Sequence, residues 1–86
     1  MHEMSVAMEI CRLVEKQVPP EQLAGVVTVA VDVGDDCGLE AANLEFCLEA
    51  LLTQPPFERA QPVLHRQPGD VLRLSYLEVD DGRPDD

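Results

Sequence analysis

Between residues 4 and 17 the apolar positions recur at three- and four-residue steps. Val6, Ala7, Ile10, Leu13 and Val14 line one side of a helix, and Ser5, Glu9, Arg12 and Lys16 form a polar stripe on another. The pattern predicts an amphipathic helix from Met4 to about Gln17. Pro19 and Pro20 stop it, because proline cannot continue the hydrogen-bond ladder and the residue before it avoids helical angles.

From Gly25 to Gly34 the period changes to two. Val27, Val29, Val31 and Val33 alternate with Thr28, Ala30 and Asp32, as β-branched residues on a strand do. Asp35, Asp36, Cys37 and Gly38 read as a turn that offers N-cap residues. Helical spacing returns over Leu39 to Thr53 through Leu44, Cys47, Leu48 and Leu51, and Pro55 and Pro56 close it. A second strand is expected at Val63 to Arg66, where Pro62 suggests an edge position. Gln67, Pro68, Gly69 and Asp70 make a short link of hairpin length to a third strand, Val71 to Val79. In that strand Leu72 and Leu74 share one face and Leu77 and Val79 the other, which a bulge near Ser75 and Tyr76 reconciles.

The expected fold class is therefore α/β, in the two-layer α+β sense. Its order is helix, strand, helix, strand, strand, with two helices on one face of a three-stranded mixed sheet. The first two strands run parallel through a helical crossover, and the short link pairs the third antiparallel to the second. Residues 1–79 make one domain, and residues 80–86, acidic with one Gly and one Pro, make a loose tail.

Composition narrows the partners. Seventeen acidic residues against six basic ones give a formal charge of -11, which opposes nucleic-acid phosphates and anionic lipid and favours cations and basic protein surfaces. Cys11, Cys37 and Cys47 are odd in number and lack CxxC spacing, so they read as reduced thiols of a cytoplasmic protein. The chain shows neither a charged leader followed by an apolar stretch nor an apolar run near the roughly 20 residues that span a bilayer.

The chemistry with the clearest form lies at the start. The terminal amine, the backbone nitrogens of His2 and Glu3, and the His2 imidazole can close fused rings around one ion, a tetragonal nitrogen set of the kind that suits Ni(II) or Cu(II). The same residues also read as a solvated terminus. His65 sits in the expected edge strand, as a surface side chain or a further ligand. Cys11 and Cys47 fall on apolar faces as small core residues, and Asp35 with Asp36 reads as a turn and cap rather than an acid/base pair.

Taken in order, Met1-His2-Glu3-Met4-Ser5-Val6-Ala7, the Val-rich strand ending at Gly34, Gly38-Leu39-Glu40-Ala41 leading to Leu44 and Phe46, and Gly69-Asp70-Val71-Leu72-Arg73-Leu74 with Leu77-Glu78-Val79 resemble the HypA/HybF family of hydrogenase nickel chaperones. The resemblance covers nearly the whole chain. It implies delivery of Ni(II) during maturation of [NiFe] hydrogenase, together with a nickel-binding GTPase and the hydrogenase large-subunit precursor, and in some organisms service to urease. It maps the metal site onto Met1, His2 and Glu3, with Glu40 close by. Glu40 is read equally well as a first-turn carboxylate favoured by the helix dipole. Family members carry a zinc lobe with two CxxC pairs between the second and third strands, where this chain has only Gln67 to Asp70, so no structural zinc is expected.

Three functional classes follow. The first is a nickel-binding maturation factor, and the second is a metal-independent adaptor that keeps the family's docking surface. The third, an enzyme, ranks last, because the chain has no Gly-rich phosphate loop, nucleophile elbow or metal-hydrolase spacing.

Overall fold

The structure, a computed structural model, describes residues 2–80. Helix α1 spans Glu3–Gln17, and a short 3-10 helix, Pro20–Gly25, leads into strand β1, Val26–Gly34. Helix α2 follows at Ala41–Leu52, then strands β2, Gln61–Gln67, and β3, Leu72–Val79. The chain order is the expected one, apart from the 3-10 turn that begins at Pro20. Proline at the first position of a helical turn gives up an N–H that would have no partner there.

The sheet order is β2-β1-β3, with β1 parallel to β2 and antiparallel to β3. This corrects one expectation: β3 does not pair with β2 as a hairpin but crosses to the far side of β1. The short link allows this because it runs over the end of β1. Two sheet spacings of about 4.8 Å each must be covered, and the four residues Pro68 to Val71 reach that far at roughly 3.5 Å per residue. As it crosses, the link accepts hydrogen bonds from the turn that ends β1: Gly34 N–H to Val71 O at 2.6 Å, Asp35 N–H to Gln67 O at 2.8 Å and Asp36 N–H to Gly69 O at 2.8 Å. Gly69 turns the chain there with a φ of 86°, a left-handed conformation that costs glycine nothing. Gly34 has no room for a side chain, because a Cβ would meet Gly69 O and lie 2.6 Å from Val71 N.

Both helices cover one face of the sheet. Val29, Val31 and Val33 of β1 pack under Val6, Ile10 and Val14 of α1 and Leu44, Leu48 and Leu52 of α2, all buried. Alternation along the strand puts Ala30 and Asp32 on the other face. There His65 of β2 and Tyr76 of β3 approach across β1 with ring centroids 6.1 Å apart, and Asp32 takes a 2.9 Å hydrogen bond from Arg73 Nε. The expected bulge is present: Ala30 faces Tyr76 and Val31 faces Leu74, which leaves Ser75 as the extra residue. It lets Leu77 join Leu72 and Leu74 against the core.

Two boundaries move by two residues and several others by one. Helix α2 starts at Ala41 rather than Leu39, with Glu40 at its N-cap. β2 begins at Gln61, two residues before the expected start, and Pro62 lies within this edge strand. The expected tail over residues 81–86 lies outside the described residues. Asp80, assigned to that tail from sequence, is tied down by its N–H to Gly25 O at 2.7 Å and by Arg59 Nη2 at 2.6 Å.

Candidate metal-binding terminus

His2 precedes α1 in an extended conformation, φ -89° and ψ 143°, and is exposed. Its carbonyl accepts the first helical hydrogen bond, from Val6 N–H at 3.1 Å. The N–H groups at the start of a helix have no acceptor within it. The backbone nitrogens of His2 and Glu3 are of this kind, so neither is needed by the ladder.

The Glu3 side chain reaches 37 residues along the sequence to the start of α2. Its Oε2 accepts the Glu40 N–H at 3.1 Å, and its Oε1 accepts Asn43 Nδ2–H at 2.9 Å. Helix α2 has no capping hydrogen bond from its own N-cap side chain. Glu3 supplies that cap from the neighbouring helix, placing a carboxylate against the positive end of the helix dipole. The Glu40 N–H, the Glu3 N–H and the Asn43 amide hold the Glu3 carboxyl below the usual carboxylate value of 4.5, with a further contribution from His2.

Of the sequence-assigned residues, the structure thus joins Glu3 to Glu40, through the Glu40 backbone, and places the exposed His2 next to them. Met1 lies outside the described residues. Among those described, no three His, Cys, Asp or Glu side chains gather in a way that could hold a metal ion. His65 stays on the face of the sheet turned away from the helices.

Asn43 was not recognised from sequence. The available signal was that Leu39, Glu40 and Ala41 lack the Ser, Thr, Asp or Asn that usually starts a helix, so the cap had to come from elsewhere. The expected cap residues do other work: Asp35 binds Arg66 Nη2 at 2.7 Å and Nε at 3.0 Å, beside the crossing link. Cys11 and Cys47 are buried, Cys37 is half-buried, and all three are free thiols. Burial, and then the nearby Glu15, push the Cys11 thiol up to about 11, which disfavours the thiolate needed for metal ligation.

Fold and terminus together define a two-layer α+β module whose first helix begins beside the start of the second and is joined to it through Glu3. The chain belongs to the HypA family, hydrogenase/urease nickel incorporation metallochaperones, whose model matches residues 1–72. It is 33% identical over 69 residues to the hydrogenase maturation factor HypA of Geobacter metallireducens, covering 80% of this chain and 60% of that protein. The HypA of Albidiferax ferrireducens is 30% identical over 79 residues, 92% of this chain and 70% of that protein. For the HypA of Cupriavidus necator the identity is 37% over 60 residues, 70% of this chain and 50% of that protein. The chain spans about 60% of the length of several relatives it matches. No solved structure matches. Among the described residues no helix is long and apolar enough to cross a membrane.

Proposed function

We propose that this chain is a nickel-binding accessory protein for maturation of [NiFe] hydrogenase, taking Ni(II) as cargo through Met1, His2 and Glu3. The observation that carries the reading is the fixing of Glu3. With its carboxylate held by α2, its backbone nitrogen and that of His2 stand on the first turn, next to an imidazole in solvent. A terminal amine and two amide nitrogens with one imidazole form the near-planar nitrogen set that Ni(II) favours. Glu40 and the Glu3 carboxylate act beside the ion, placing negative charge near it.

The partners on this reading are a nickel-binding GTPase and the hydrogenase large-subunit precursor, or a urease in its place, met in the cytoplasm. A formal charge of -11 favours basic protein surfaces over nucleic acid. On this reading no structural zinc is needed, because the chain has no CxxC pair to supply a thiolate site.

Calorimetry on tag-free protein tests the reading. We expect about one Ni(II) per chain, and binding that weakens below about pH 6.5 as the imidazole takes up a proton. Residues added before Met1 should abolish binding, and EDTA should leave the circular dichroism spectrum unchanged. Equal affinity in wild type, His2→Ala and the extended chain would remove the N-terminal site, and partner binding and rescue of maturation that survive His2→Ala would favour instead a metal-independent adaptor.

A further inference from the structure

The sheet has two edges of different character. β2 carries Pro62, which has no N–H to offer, and α2 packs against it. β3 contains no proline and pairs only with β1 among the described strands, so the backbone groups on its outer side lack a strand partner.

A groove of about 220 Å³ runs beside this second edge. Ile10 and Leu13 of α1 form one wall, Leu72 and Leu74 of β3 form the other, and Glu9 and Arg73 supply its charge. It lies on the side of α1 that carries Ser5, Glu9 and Leu13, while Met8, Cys11 and Glu15 line a different cavity, against the loop after α2. Leu72 and Leu74 point to the helix-covered face, so every second residue of a strand added to β3 would point into the groove.

We propose that the β3 edge and this groove form a docking site for an extended segment of a different, basic protein, which adds to the sheet as a fourth strand. Its apolar residues, at alternate positions, enter the groove under α1. Its backbone pairs with β3 between Leu72 and Val79. Lysines or arginines at its ends answer the charge of this chain, which stands at -11 overall. The same charge argues against a second copy as the occupant, since two such chains repel. The site is separate from the terminal chelate and needs no metal.

The probe is a seven-residue peptide with valine at its second, fourth and sixth positions, threonine between them and lysine at both ends, titrated into isotope-labelled protein without nickel. We expect saturable binding, with amide shifts confined to residues 72–79 and residues 5–13. Affinity should fall as salt rises. N-methylation of the peptide amides that would face β3 should lower affinity about tenfold or more, because it removes main-chain pairing and leaves the side chains intact. Leu13→Glu should lower it by a similar factor, and Phe46→Ala on α2 should not change it. Should Leu13→Glu fail to fold, the N-methylated series decides alone. Absence of binding, indifference to N-methylation, shifts on another surface, or a dimer of the chain alone joined through β3 would each overturn the proposal.

Discussion

Two corners of this molecule each tie together parts of the chain that are far apart in sequence, by different means. At the end of β1 the link between β2 and β3 crosses Gly34 and is held by three backbone hydrogen bonds. At the start of the two helices Glu3 bridges to Glu40 and Asn43 through its side chain. The first corner tolerates nothing larger than glycine but asks little of the side chains around it. The second depends on one carboxylate, and it is there that the exposed imidazole lies. The fold is thus closed by backbone at one corner and by a side chain at the other.

The contrast breaks most directly at Gly34. In Gly34→Ala the new Cβ would meet Gly69 O and Val71 N, and because these are backbone atoms the link must move away from β1. That strains the hydrogen bonds holding the crossing. We expect a loss on the order of 3 kcal/mol in urea unfolding, the range of severe backbone conflicts. Gly38→Ala is the comparison: nothing lies near its Cβ, and its cost comes instead from a φ of 86°, a left-handed conformation that Gly34 does not adopt. A Gly34→Ala loss no larger than that of Gly38→Ala would show that the crossing is not closely packed.

At the opposite corner the largest effect should be on metal rather than on stability. His2 is exposed and caps nothing with its side chain, so His2→Ala should leave the unfolding midpoint unchanged. The same substitution should weaken Ni(II) binding by about a hundredfold, the scale on which loss of a ligand or its support acts. A fall in stability with no change in nickel affinity would reverse the roles assigned to the two corners.

How far the sequence revealed these corners follows from what each is made of. The valines of β1 and the apolar spacing of α1 and α2 state their periods directly, and the opposite phases of Leu72-Leu74 and Leu77-Val79 disclosed the bulge at Ser75. The crossing was hidden, because Gln67 to Asp70 has the length of a hairpin link and backbone hydrogen bonds leave no residue signature. Only the pairing of Gly34 with Gly69 distinguishes it, and glycines also mark ordinary turns. At the other corner donor chemistry alone pointed to Met1, His2 and Glu3 as the proposed chelate. The Glu3 cap was not, since a side chain that serves a helix 37 residues away follows no local pattern.

The smallest effect should come from Glu3 itself, in metal-free protein. Its carboxylate accepts two hydrogen bonds at the start of α2, and its proton affinity is lowered by the Glu40 N–H, its own N–H and Asn43. A carboxyl whose value in the folded chain lies below that of the unfolded chain adds stability above the unfolded value. That stability disappears as the pH falls through the folded one. Wild type should therefore melt slightly above Glu3→Gln near neutral pH, with a constant difference down to about 4.5, the ordinary value of the group. Below that the two curves should converge, as protonation makes wild type resemble the amide. Asn43→Ala should remove part of the same difference, and in combination with Glu3→Gln it should add less than it does alone, because the two side chains share one hydrogen bond. Additive losses, or a difference that persists in acid, would mean that Glu3 stabilises the chain through something other than its charge at the start of α2.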